Sequence, residues 1–309
     1  MTSPWGAAEN LHPLVNGNPG ALTDADVPAW WAALGIPGLY DVHVHFLPPP
    51  VMRKVRAQFD AAGPLIGRPW PLVYRDDDDA LVSRLRAMGV RRFTALPYAH
   101  RPGIATYLNA WAAGFADAVP ECLRCATFYP EEGVTAYVED LVATGTEVFK
   151  VHVQVGDFDL LDEQLDEVWQ LLAEAGTPIV LHVSSGPVGN GHTGPGPLRA
   201  LMERHPDLCV VVAHLGAPEY ADFMAIAQRY ERVYLDTTMA FTSFFEELAA
   251  FPRELLPQLR DLGDKVLLGS DFPNIPYAYA HQLESLERLD LGEEWLRKVC
   301  WDNATTLLG

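Results

Sequence analysis

Eight short apolar runs, separated by helical patterns, constrain this chain more than any other feature. They are LYDVHVHF (39–46), RRFTALPY (91–98), LRCATFYP (123–130), EVFKVHVQV (147–155), TPIVLHVS (177–184), CVVVAHL (209–215), VYLDTTM (233–239) and KVLLGSDF (265–272). Most are near-continuous rather than alternating, as expected of parallel strands buried on both faces. Between them, segments such as DDDDALVSRLRAMG place acids where a helix dipole favours them. TDADVPAWWAALG reads as a short helix with Thr23 or Asp24 as its N-cap. Eight strand–helix units predict an α/β fold, a single-domain (β/α)8 TIM barrel over 39–309. Residues 1–38 read as an N-terminal extension carrying the short helix, its opening to Asn18 a loop. A doubly wound open sheet is the structural rival. The Pro- and Gly-rich stretch 47–75 reads as a long insertion after the first strand, placed to cover part of a site.

Composition narrows the function. With 49% hydrophobic residues the chain can bury a large core, and no run of about 18 apolar residues suggests a membrane span. The start lacks a basic region followed by an apolar one, so a cytoplasmic location is expected. A formal charge of −19 argues against nucleic acid and anionic membranes as partners. Cys122 and Cys125 form a CxxC without a second pair, and read as two buried cysteines entering a strand rather than a redox pair. GNGHTG (189–194) matches GxGxxG, but Pro195 and Pro197 follow it. It reads as a mobile loop over the mouth, not a nucleotide cradle. Neither GxSxG nor GxxxxGK[ST] occurs.

A barrel carries its chemistry at the C-terminal ends of its strands, and there this chain concentrates polar residues. His43 and His45 share the first run, and Tyr98 and His100 end the second. Lys150, His152 and Gln154 lie in the fourth, while His182, His214, Asp236 and Asp271 close the fifth to eighth. A lone histidine in a buried strand is ordinarily a core residue satisfied by backbone. Barrel closure would gather all of these around one mouth. In a strand, His43 and His45 point the same way. Neutral imidazole and carboxylate are the donors that a catalytic zinc or similar divalent ion takes. His43, His45, His182 and Asp271 would supply them and leave a position for water, whose pKa such an ion lowers toward neutrality. His214 stands nearby as acid, base or electrostatic stabiliser.

Taken in order, DVHVHFLP, LHVS, VVAHLG and LLGSDFP resemble the amidohydrolase superfamily. More narrowly, the chain resembles the amidohydrolase-related branch, which includes aminocarboxymuconate semialdehyde decarboxylase and related aromatic acid decarboxylases. The similarity runs from about Leu39 to Leu308. It implies that His43 and His45 are the metal pair, with His182 as a further ligand. Asp271 would bind metal and handle the water's proton, and His214 would match the histidine that in the decarboxylase branch acts catalytically and need not bind metal. The resemblance further implies a small-molecule enzyme with a divalent ion, zinc first and manganese or iron as alternatives, and a homodimer. Hydrolysis at an amide, ester or lactone is the leading expectation. Non-oxidative decarboxylation of a small aromatic or unsaturated acid is the alternative, and needs a cation for the carboxylate, for which Arg53, Arg101 and Lys150 are candidates. A non-catalytic metal-binding barrel is the third, and keeping both His214 and Asp271 argues against it. Lys150 reads as a carboxylated bridge between two metals, a buried ion pair or a contact beneath the substrate. His152, His100 and His192 join Lys150 as candidate substrate contacts. For His152 a core role stays open, and for His192 a solvated one.

Overall fold

The computed structural model describes residues 21–309, and the opening segment read as loop lies outside that range. Eight strands fall on the eight apolar runs: β1 (Leu39–Asp41), β2 (Val90–Phe93), β3 (Cys125–Thr127), β4 (Val148–His152), β5 (Ile179–His182), β6 (Val210–Val212), β7 (Val233–Asp236) and β8 (Val266–Leu267). Each pairs in parallel with its neighbour in chain order, β1 with β2 and β3 through β8 in succession. A bridge between Phe93 and Cys122 joins the two ladders. At the other seam Val44 bridges Phe272, and Val42 N–H donates to the Leu268 carbonyl. The sheet therefore closes on itself as a (β/α)8 barrel.

The strands are shorter than their apolar runs because side chains take over the backbone groups at the mouth. Val44 N–H donates to Thr94 Oγ1 at 3.0 Å, and Ala99 N–H to Thr127 Oγ1 at 3.1 Å. Residues held this way can turn away from ladder geometry without orphaning a buried donor.

Helices follow the sequence pattern with three departures. The first helix is Val27–Ala33, and neither Thr23 nor Asp24 caps it; Asp26 precedes it without a side-chain cap. Asp24 instead accepts from Tyr74 Oη at 2.5 Å and from Ala280 N–H at 3.0 Å, fastening the N-terminal segment to the barrel. The pattern FFEELAAFPRELLPQL divides into Ser243–Glu246 and Leu256–Asp261, because Pro252 cannot continue a helix. The terminal pattern contains a π-turn at Lys298–Asp302 before Asn303–Leu308. Asp77 does cap the acidic helix Asp78–Met88, accepting from Ala80 N–H at 3.0 Å.

Inside the barrel, register sets layers. Lys150 pairs with Val180 and His152 with His182, so both pairs face inward one above the other. Below them Tyr40, Val42, Leu123, Val148 and Leu267 form an apolar cluster with Ala304 of the terminal helix, closing that end. Asn303 ties this helix to β8 by donating to the Gly263 and Val266 carbonyls at 2.7 and 2.8 Å. All four cysteines are buried and free. Burial pushes the Cys122 thiol up, and that of Cys125 to about 12, the reverse of a reactive pair.

Candidate active site

The site is built on two buried carboxylates, Asp41 and Asp236, that do not themselves line the cavity. Asp41 ends β1 and accepts from Ser270 Oγ at 2.6 Å, Tyr279 Oη at 2.9 Å, and the backbone N–H of His43 and Ser270. Burial pushes its carboxyl up to about 7, and these donors oppose that rise. The result is a fixed exit from β1 beside β8. Asp236 ends β7. Its Oδ2 accepts a hydrogen bond from His43 Nδ1–H at 2.8 Å, and its Oδ1 accepts from the N–H groups of His214 and Thr238 at 2.9 and 3.0 Å. A Cβ on Gly269 would lie 2.9 Å from His43 Cβ, so the chain leading to Asp271 passes His43 as bare backbone.

His45 donates Nδ1–H to the Leu96 carbonyl at 2.9 Å. With both Nδ1 atoms committed, the Nε2 atoms of His43 and His45 are the ones left to face the cavity. They meet the Asp271 carboxylate, whose Oδ1 is 3.0 Å from His45 Nε2 and 3.8 Å from His43 Nε2. Each of the three offers a ligand atom within 4.8 Å of the others, so His43, His45 and Asp271 form a group that can hold a metal ion. The donor chemistry fits one. An imidazole nitrogen and a carboxylate oxygen facing each other at 3.0 Å are both atoms that a shared divalent cation takes as ligands. Lys150 stands beside them here, with Nζ 3.2 Å from His43 Nε2. Burial lowers its pKa to about 8, against the pull of Asp236 and Asp271.

Around this floor stand three more histidines and a tyrosine. His152 and His182 stack with centroids 4.0 Å apart and planes 14° apart, as their shared register requires. His182 lines the same cavity outside the three-residue group; its Nε2–H donates to the Gly186 carbonyl at 2.9 Å, which leaves Nδ1 as its free nitrogen. His214 lies edge-on to it at 4.8 Å and donates Nδ1–H to the Thr238 carbonyl at 3.1 Å. His214 and Asp271 both occupy the left-handed region, with φ of 56° and 70°, unusual for residues with a Cβ. Burial first, then neighbouring positive groups, holds His43, His152 and His214 well below the usual imidazole range, and His182 at about 3. These four rings are neutral near pH 7. Tyr98 packs edge-on to His45 at 5.5 Å, and burial keeps its hydroxyl protonated.

The floor opens into a cavity of about 580 Å³, inside the usual range for small-molecule sites, about 300–1,000 Å³. His43, His45, Lys150, His152, His182, His214 and Asp271 all line it. His100 and His192 do not. His100 is exposed beyond the end of β2, and His192 lies in the loop before Pro195, its N–H bound to Asn190 Oδ1 at 3.0 Å. The insertion does cover the site. Its helices Pro49–Asp60 and Gly63–Ile66 contribute Phe59, Leu65 and Ile66 to the wall, and Trp70 follows. Sequence reading named Asp236 and Tyr98 at strand ends without giving either a role, and missed Asn274, which also lines the cavity. Asn274 lies three residues after Asp271 in a turn, where asparagine is too common to stand out.

The model of the amidohydrolase family matches residues 40–309. The curated proteins contain no match to this sequence. Among solved structures, an uncharacterised TIM-barrel protein from Bordetella bronchiseptica superposes with a TM-score of 0.70 at 16% identity, covering 87% of this chain and 98% of its own. 5-Carboxyvanillate decarboxylase LigW from Sphingomonas paucimobilis superposes at 0.60 and 15% identity, covering 88% and 99%. A probable 2-pyrone-4,6-dicarboxylic acid hydrolase from Acinetobacter baumannii does so at 0.60 and 14%, again covering 88% and 99%.

Proposed function

Because this chain belongs to the amidohydrolase family, we propose that it is a metal-dependent hydrolase acting at the carbonyl of a small ester, lactone or amide. The observation that carries this reading is the meeting of His43 Nε2, His45 Nε2 and the Asp271 carboxylate on the floor of a cavity at the barrel mouth. These three would hold one divalent ion, zinc first, with His182 Nδ1 as the candidate fourth donor. When bound, the ion supplies Lewis acidity to a water and to the substrate carbonyl. Lys150 would yield its contact with His43 Nε2 or lose its proton as the ion binds. Asp271 would take the proton of the attacking water. Asp271 would then pass that proton to the leaving group, while His214, with Nδ1–H committed to Thr238, presents Nε2 as a hydrogen-bond acceptor that orients the attacking water. His152 and Tyr98 would orient the substrate.

Decarboxylation is the second reading, favoured by Lys150 as a buried cation at the cavity floor that could face a carboxylate. Release of carbon dioxide from aromatic acids would support it.

The deciding experiment is metal content of tag-free protein by mass spectrometry, with turnover of aryl esters and lactones on the same sample. About one ion per chain, lost in His43→Ala together with turnover, is expected. About two ions would favour Lys150 as a carboxylated bridge. No metal after reconstitution would sink the reading.

A further inference from the structure

The charge in the cavity is confined to its floor. Among the described residues, Lys150 and Asp271 are the fully charged side chains that line it, and both belong to the metal-binding end. Away from the floor the wall passes to Phe59, Leu65, Ile66, Trp70 and Val188. The insertion that supplies most of this wall has arginines to turn inward and does not use them. Arg56 donates to the Arg75 and Asp76 carbonyls at 2.8 and 2.9 Å. Arg68 donates to the Phe244 carbonyl at 3.0 Å, pairs with Glu247 at 2.6 Å and lies over the Phe244 ring. Arg53 and Arg101, the other cations considered for a carboxylate, do not line the cavity. Residues 1–20 contain neither Lys nor Arg.

The polar groups that do face the cavity away from its floor are uncharged. Asn274 is 2% exposed, and its Oδ1 has no hydrogen-bond partner. The amides of Gln58 and Gln154 complete the set, and the Tyr98 hydroxyl beside the floor is likewise uncharged. Such groups orient a carbonyl, hydroxyl or amide, whereas a carboxylate set among them would lose its water and gain no cation. A net charge of −19 adds a field that repels anions from the mouth.

We propose that the outer part of this cavity binds an uncharged, apolar body, so that the substrate is a monofunctional ester, lactone or amide without a second carboxylate. This rests on the hydrolytic reading above and names its substrate class. The reactive carbonyl lies at the floor, and an aromatic or aliphatic group fills the space beneath the insertion.

The test compares 3-phenylpropanohydroxamic acid with its para-carboxylated analogue by calorimetry on metal-loaded protein. Both carry the same metal-directed head and differ only at the wall. Should the protein hold no metal, 3-phenylpropanamide and its para-carboxylate replace them, so the wall is tested whatever becomes of the metal reading. The uncharged probe is expected to bind at least about tenfold more tightly. Gln58→Arg, which adds a cation at an exposed wall position, is expected to shrink or invert that ratio. Equal or tighter binding of the carboxylated probe by the unaltered protein, or binding of neither, overturns the proposal.

Discussion

Asp236 shows how much of this site depends on a residue that never reaches the cavity. One carboxylate holds the His43 ring and the backbone of His214, so the tautomer of one and the position of the other are set together. An asparagine of the same shape offers one oxygen in place of two. Asp236→Asn is expected to lower metal affinity by about 10–100-fold, read as ion retained after dialysis against a graded chelator. The fold should survive, and an unchanged affinity would mean that Asp236 serves the barrel rather than the site. Lys150, unlike Asp236, does line the cavity, although it starts deeper in the barrel. It lies one layer below His152 on β4, yet its four-carbon stem lifts Nζ to His43 Nε2. Reading position along a strand placed the lysine correctly, but its reach depends on the space that β1 and β7 leave beside it.

The insertion after β1 is the element that turns an open barrel mouth into a cavity. Its attachment is specific. Trp70 Nε1–H donates to the Asn274 carbonyl at 2.9 Å, and its ring packs on Phe59 and Phe244 at 5.1 and 4.9 Å. Arg68 adds a second tether to the segment after β7. Trp70→Ala removes the anchor and part of the wall. A buried indole truncation costs about 3–5 kcal/mol, borne here mainly by the insertion. The expected result is a raised KM with metal content unchanged, checked by steady-state kinetics beside metal analysis. The insertion's position was legible from its proline and glycine content. Its contacts were not, because they join residues about 200 positions apart in the chain, as Trp70 and Asn274 show.

Across the whole molecule, the gathering of neutral histidines has a cost that pH exposes. His43, His152, His182 and His214 have folded-state pKa values below the unfolded value near 6.5. The unfolded chain therefore takes up protons first as pH falls. The stability they contribute is present above pH about 6.5 and drains as pH falls below it, for His182 down to about 3, by roughly 1 kcal/mol per pH unit for each histidine that titrates only on unfolding. Urea unfolding of metal-free protein at pH 7 and pH 5 should show this loss. A flat profile over that interval would mean that the rings are protonated in the folded state.

The sequence by itself determined the barrel and the residues around its mouth. Near-continuous apolar runs read as parallel strands covered on both faces, and eight of them in alternation with helices fit a closed barrel better than an open sheet. Their polar exceptions, from His43 to Asp271, stand out against that background because a buried polar group needs a reason. Tertiary structure decided the rest. Which histidine nitrogen is free depends on acceptors contributed by other strands and loops, Asp236 for His43 and Leu96 for His45. His182 turns Nε2 toward Gly186, and His100 and His192 lie outside the cavity, although all three carry the same side chain as the residues at its floor. Apolar periodicity reports burial, which is a property of a segment. Convergence of lone pairs is a property of several segments at once, and only closure of the barrel brings it about.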